Sequence, residues 1–262
     1  MIESPRPKDV TSLLTPGSMW HQLDWVASTG STNKDLASEA RDGATQGRVL
    51  LASEQTQGRG RLDRSWVSPA GKSLAISVIL EPTPDFSRWG WLSLLAGLAV
   101  HEAVAKHAPH LTGLELKWPN DVLISGKKIC GILSERVEHA AGPRAIVGIG
   151  LNLTLQHFEL PTTSATSLSL QGIDVEASRL AADILNAFER HYQAWQAQGS
   201  LRETYEARCA SVGAQLEIVL GPGDSVRGTG AGVDDLGHLR VTTAAGERTF
   251  VVGDVIHATM SR

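Results

Sequence analysis

The chain has 262 residues and a formal charge of −4, with 24 Lys and Arg against 28 Asp and Glu. That length suits one large domain with a small appendage, and 42% apolar residues are enough for a real core. A weakly acidic balance argues against binding nucleic acid through bulk charge. The two cysteines, Cys130 and Cys209, rule out a disulfide framework and point to a reducing compartment. The opening MIESPRPKDV carries no basic-then-apolar signal pattern, and the apolar run from Trp89 to Val100 is too short to span a bilayer. A cytoplasmic globular protein without a membrane segment is the expectation.

In chain order, residues 1–18 hold three prolines and no hydrophobic period, and read as a loose lead-in. Strands are predicted at Trp20–Val26, Arg48–Ser53, Ser73–Leu80, Leu114–Trp118, Asp121–Ser125, Lys128–Val137 and Arg144–Leu153. Ser125-Gly126 is a hairpin signal, and neighbours that close exclude a strict βαβ repeat. Helices are predicted over Thr32–Arg41, Trp89–His107 and Glu176–Gln198, the first opened by a Ser/Thr/Asn cluster and closed by Gly43. This is an α+β pattern: a mixed, largely antiparallel sheet with helices packed on one face. Beyond residue 211 the pattern changes. Gln215–Leu220, Val226–Val233, His238–Thr243 and Arg248–Val252 are short strands split by polar, glycine-bearing turns, as in a small β-barrel. The expected domains are 1–18, 19–211 and 212–262.

Several familiar chemistries are absent. Gly71-Lys72-Ser73 lacks the first glycine of a P-loop, because Trp66 stands there, and its lysine opens a strand. His101 and His107 lie six apart on a helix and point in different directions, so they cannot share a metal. There is no GxSxG elbow, and Gly148-Ile149-Gly150 lacks a third glycine.

The most informative segment runs from Gln55 to Trp66 and holds Arg59, Arg61 and Arg64 among glycines. Glycine lets backbone approach an anion, arginine offers a planar fork to phosphate or carboxylate, and Trp66 adds a flat apolar face. Such a loop is either a solvated basic turn or a nucleotide site. In Leu116-Lys117-Trp118-Pro119-Asn120-Asp121 the period of two sends Lys117 to the face opposite Leu116 and Trp118. It is either a snorkelling lysine at a turn or part of a site. Lys127 and Lys128 follow at the hairpin. Ser31-Thr32-Asn33 forms a helix cap, which is compatible with a carboxylate site. Two glycines in the apolar strand at Gly148 and Gly150 mark a bulge or a close approach, with Asn152 the lone amide there.

Together, STN at 31–33, SEQTQGRGR at 53–61, LKWPND at 116–121, KICGILSE at 128–135 and GIGLNL at 148–153 resemble the biotin protein ligases. The resemblance implies a class II synthetase-like catalytic fold with a C-terminal SH3-like β-barrel. It also implies ATP-dependent formation of biotinyl-5′-AMP, with Mg2+ accompanying ATP, then transfer of biotin to a lysine of a biotin carboxyl carrier domain of an acyl-CoA carboxylase. Carried across residue by residue, Lys117 and Arg61 are catalytic. Ser31, Thr32, Asn33, Gln55, Arg59, Gly60, Arg61 and Lys117 bind biotin; Arg61, Arg64, Trp66, Asn120, Lys128 and Asn152 bind ATP or the adenylate. Metal ligands are not indicated. Asp63 departs from the glycine usual at its place in the family loop, and Cys130 from a common alanine. With fewer than about 20 residues before the first strand, no DNA-binding domain and no DNA partner are expected; a homodimer is compatible. Lipoate or octanoate ligase and a non-catalytic biotin sensor are the alternatives on the same fold.

Overall fold

The computed structural model describes residues 3–62, 64–221, 223–251 and 253–257. Among these residues, β1 (Gln22–Val26), β2 (Arg48–Ala52), β3 (Ser73–Leu80), β4 (Leu114–Lys117), β5 (Asp121–Ile124), β6 (Lys127–Val137) and β7 (Arg144–Asn152) form one seven-stranded sheet. Its order is β1-β2-β3-β7-β6-β5-β4. Only β1 and β2 pair in parallel, because they are joined through helix α2 (Thr32–Arg41), and a parallel crossover needs that much chain. Every other neighbour is antiparallel. The β5–β6 hairpin turns at Ser125 and Gly126, both at positive φ (50° and 75°), the pairing that matches strand twist in a two-residue turn.

Helices α3 (Trp91–His107) and α4 (Ala177–Gln198) stack over one face of the sheet. α3 is apolar nearly all round, from Trp91 to Val104, because the sheet lies on one side and α4 on the other. α4 starts where the Glu176 carboxylate accepts from the amides of Ser178 and Arg179, and ends at left-handed Gly199. The one-face layering holds for these two helices and not for α2. Leu36, Ala37 and Ala40 of α2 pack with Leu50, Ile79, Val137 and Ile146 on the opposite face, over β2, β3, β7 and β6. The remainder of that second face is left uncovered by helices.

Residues 7–13, expected to be loose, form helix α1 (Pro7–Leu13). It buries Val10 and lies along α4, with Arg6 N donating to Ser178 Oγ (3.1 Å) and Met19 N to Glu189 Oε1 (2.8 Å). Its apolar stripe of Val10, Leu13 and Leu14 is too short to show a period, and Pro7 opens the helix rather than breaking it. A further short helix, α5 (Arg202–Glu206), precedes the C-terminal sheet.

That second sheet is five-stranded and antiparallel, consistent with an SH3-like barrel: β8 (Gln215–Gly221), β9 (Asp224–Val233), β10 (Leu239–Thr243), β11 (Gly246–Phe250) and β12 (Asp254–His257), in the order β11-β10-β9-β8-β12. β12 has no counterpart in the sequence reading. The strand expected at Arg248–Val252 begins earlier, and Val252 lies outside the described residues. The segment leading into this sheet covers the free edge of β4: Leu116 N donates to Arg208 O and Ala210 N to Leu116 O, both at 2.8 Å.

Candidate active site

The uncovered sheet face carries the site. Alternation places Leu116, Trp118, Cys130 and Ile132 in the core with α3, and sends Lys117, Asp121, Gly131, Leu133, Gly148 and Gly150 to the other side. Cross-strand registers align Ala52, Ala75, Gly150, Gly131, Asp121 and Lys117 in one row across six strands. The row is a trough of small residues that ends in two charged ones, Asp121 and Lys117. Missing side chains make its floor: a Cβ on Gly150 would stand 2.5 Å from the Trp66 indole nitrogen, and one on Gly131 would stand 2.9 Å from that ring. A neighbouring row carries Ser77, Gly148 and Leu133. There a Cβ on Gly148 would meet Asn33 Oδ1 at 2.1 Å.

Walls rise on three sides to enclose a cavity of about 480 Å3. The first wall is the N-terminus of α2. Gln55 Oε1 accepts from both the amide (3.0 Å) and the hydroxyl (3.1 Å) of Thr32. Asn33 is fixed by its amide: Oδ1 accepts from Ser77 Oγ (2.7 Å), while Nδ2 donates to Leu133 O (3.2 Å) and Glu135 Oε2 (2.8 Å). Ser31 is buried beside them.

The second wall is the arginine loop, a tight hairpin in which Trp66 N donates to Gly58 O (2.8 Å) and Gly60 N to Arg64 O (2.7 Å). Leu62, at its tip, takes φ 53°; Asp63 lies outside the described residues. Arg59 pairs with Glu135 at 2.9 Å. Trp66 lies over the trough with its indole N–H buried and unpartnered, and the Lys128 ammonium sits 5.6 Å from its ring centroid.

The third wall comes from the barrel. Val219, Asp254, Val255 and Ile256 line the cavity. Asp254 pairs in bidentate fashion with Arg64, and Arg61 Nη1 approaches Gly253 O (3.4 Å) and Asn120 Oδ1 (3.5 Å).

Five cationic side chains, Arg59, Arg61, Arg64, Lys117 and Lys128, line this cavity against two carboxylates, Asp121 and Asp254. On a chain of net charge −4, that local excess makes the cavity a focus of positive potential. Lys128 is neutralised by Asp121 at 2.5 Å. Burial pulls the Lys117 ammonium below its ordinary pKa, an effect that Asp121 opposes and Lys128 reinforces. Arg61 is likewise lowered by burial, with Asp254 and Asp121 acting the other way. Desolvated cations of this kind gain most from an incoming anion.

Of the expected site residues, Ser31, Thr32, Asn33, Gln55, Arg59, Gly60, Arg61, Arg64, Trp66, Lys117, Asn120 and Lys128 line the one cavity. Asn152 does not: it is buried beside it, and its Nδ2 donates to Thr166 O at 2.9 Å. Asp254, Glu135 and Gly131 were missing from the sequence reading. Glu135 and Gly131 fall inside the KICGILSE string, where the period of two puts them on the face of Lys117's row; Asp254, far along the chain, gave no such signal.

A sequence profile of the biotin/lipoate A/B protein ligase family matches residues 25–152. The chain is 40% identical to the biotin–[acetyl-CoA-carboxylase] ligase of Mycobacterium tuberculosis over 253 residues, covering 94% of this chain and 92% of that one. It is 32% identical to the ligase of the same description from Paracoccus denitrificans, covering 88% and 98%. Among solved structures, biotin protein ligase from Aquifex aeolicus in complex with biotin and ATP superposes with a TM-score of 0.77 at 26% identity, over 91% of this chain and all of that one. Similarity of that extent, on a cavity so lined, places the chain in the biotin protein ligase family.

Proposed function

We propose that this cavity activates biotin with MgATP and that the protein then delivers biotin to a lysine of a biotin carboxyl carrier domain of an acyl-CoA carboxylase. In the first step a biotin carboxylate oxygen bonds to the α-phosphorus of ATP as the bond to the bridging β-phosphate oxygen breaks. Biotinyl-5′-AMP forms and pyrophosphate leaves. In the second, the acceptor amine bonds to the acyl carbon, AMP leaves and the amine gives up its proton. The carrying observation is the small-residue trough that ends among five cations: an apolar slot for a compact ring system beside a dense anion site.

On this reading Ser31, Thr32 and Gln55 face the ureido end, and Asn33 shapes that end rather than binding it, since its amide is already engaged within the protein. Arg59, Gly60 and Arg61 cover biotin and the adenylate. Lys117 on β4, opposite Asp121, and Lys128, paired with Asp121 from β6, meet the carboxylate and α-phosphate, and Lys128, leaning over Gly131, is the nearer to the trough's middle. They stabilise the charge that builds on the phosphate oxygens as the new bond forms. Arg64 exchanges Asp254 for phosphate. Trp66 and Asn120 take the adenine side, with Asn152 holding Thr166 behind it. Mg2+ belongs to the nucleotide as part of that substrate. Among the described residues no group of three His, Cys, Asp or Glu is arranged to hold a metal. No helix among them is long and apolar enough to cross a membrane. The free thiols Cys130 and Cys209 suit the cytoplasm, where carboxylase carrier domains await biotin.

Exchange of labelled pyrophosphate into ATP, with biotin, lipoate or octanoate supplied separately, tests the reading. Exchange that depends on biotin alone is the expected result. Exchange with lipoate or octanoate instead would reassign the substrate, and binding of biotin with no exchange would make the protein a sensor.

A further inference from the structure

Glu135 touches both walls that enclose the substrate end of the trough. It projects from β6 on the cavity face, two residues beyond Leu133. One carboxylate oxygen accepts from Asn33 Nδ2 at 2.8 Å, and the other meets Arg59 Nη2 at 2.9 Å. Asn33 belongs to the first turn of α2, and Arg59 is the first arginine of the loop. The carboxylate is half-buried, and that ion pair is the only polar contact of the Arg59 guanidinium among the described residues. Charge-assisted bonds of this kind are stronger than neutral ones and set geometry as well as energy.

We propose that Glu135 is a positioning residue for biotin activation: its two oxygens fasten the root of the arginine loop to the helix terminus that forms the ureido end. It acts through Arg59 and Asn33 and touches no reacting atom. Filling the ureido end and closing the loop are thereby coupled, since whatever steadies Asn33 steadies the carboxylate that holds Arg59. This role rests on the reading of the cavity as a biotin-activating site.

The test is a double-mutant cycle on Glu135→Gln and Arg59→Ala, read as the rate at which preformed labelled biotinyl-adenylate leaves the enzyme, together with the KM for biotin in pyrophosphate exchange. Glutamine keeps an acceptor for Asn33 but presents no charge to Arg59. Release is expected to accelerate about tenfold in Glu135→Gln, with KM raised and the thermal midpoint unmoved. In the Arg59→Ala background the same change should add nothing, because the pair is already broken. Arg59→Gln leaves the Glu135–Asn33 bond in place but also removes the guanidinium from over biotin, so release from it should be at least as fast as from Glu135→Gln. It serves as the second arm if that variant folds poorly, and slower release than from Glu135→Gln would overturn the role. Unaltered release, or two effects that simply multiply, would overturn the role. Loss of biotin-dependent exchange in the unaltered protein is a different outcome: it would overturn the reading of the cavity itself.

Discussion

Replacing Gly148 by alanine tests whether the trough depends on absent side chains. The new methyl would stand 2.1 Å from Asn33 Oδ1 and 2.8 Å from its Cγ, distances no real Cβ tolerates. β7 is fully buried and paired on both sides, so the strand cannot withdraw. Asn33 must yield, and its amide then gives up its bonds with Ser77, Leu133 and Glu135. Three bonds in a buried setting, one of them to a carboxylate, amount to about 3 kcal/mol. If that disorder reaches the ureido end undiminished, biotin affinity falls about a hundredfold. Denaturant unfolding gives the stability term, and pyrophosphate exchange across a biotin titration gives KM. Gly150→Ala is the comparison, because its methyl meets the Trp66 ring at 2.5 Å, and Trp66 sits on a surface loop that can lift. It should cost little stability while still impairing adenylation. A Gly148→Ala enzyme with ordinary stability and ordinary KM for biotin would refute the account of the floor.

Lys117→Ala should slow adenylate formation about a hundred- to a thousandfold with the fold intact, as removal of one preorganised charge does elsewhere; near-normal exchange would remove it from the chemistry. The pH profile follows from its environment. Burial lowers the Lys117 pKa, so the cost of keeping that charge folded is relieved as pH rises through the lowered value, while activity, which needs the charge, is lost over the same range. Lys117→Arg should shift that alkaline limb upward, since a guanidinium stays protonated. Arg61→Ala severs the approach to Gly253 O and Asn120 and should let labelled biotinyl-adenylate escape into solution; an unchanged dissociation rate would argue against the loop as a cover. Burial raises the pKa of both Cys130 and Cys209, so neither should be alkylated in the native protein and both after unfolding, as mass spectrometry would read directly.

Strands and long helices were legible because their signals are local and periodic. Ser73–Leu80 and Thr32–Arg41 end where turn and cap residues place them. The hairpin at Ser125-Gly126 by itself excludes a strict parallel repeat. α1 was illegible because seven residues hold too few apolar positions for a period, and its helix is fixed by α4, more than 160 residues further on. The face taken by α2 was illegible for a related reason: periodicity shows that a helix has a buried side but not which side of a sheet it meets. The site divides in the same way. Alternation around Lys117 and the glycines of β7 identified the correct face, whereas Asp254, 190 residues from Arg64, could only be paired with it through tertiary structure.

The electrostatics of the cavity follow from that arrangement. Arg64 is held by Asp254, Lys128 by Asp121 and Arg59 by Glu135, so three of the five cations are already paired. Arg61 makes long contacts to neutral acceptors, and Lys117 has no ion pair among the described residues. A triphosphate entering the cavity therefore meets two kinds of cation. The paired ones must exchange one anion for another, which gains little net energy because the lost and formed interactions are alike. Arg61 and Lys117 lose no such partner and stand in desolvated positions, where attraction to phosphate is strongest. Hence the steepest losses of adenylation should come from these two positions, and milder ones from Arg64 and Arg59, whose acidic partners set loop position as much as charge. The ordering is measurable in one set of alanine variants, and a loss at Arg64 exceeding that at Lys117 would show that exchange of Asp254 for phosphate, rather than the unpaired charge, drives the step.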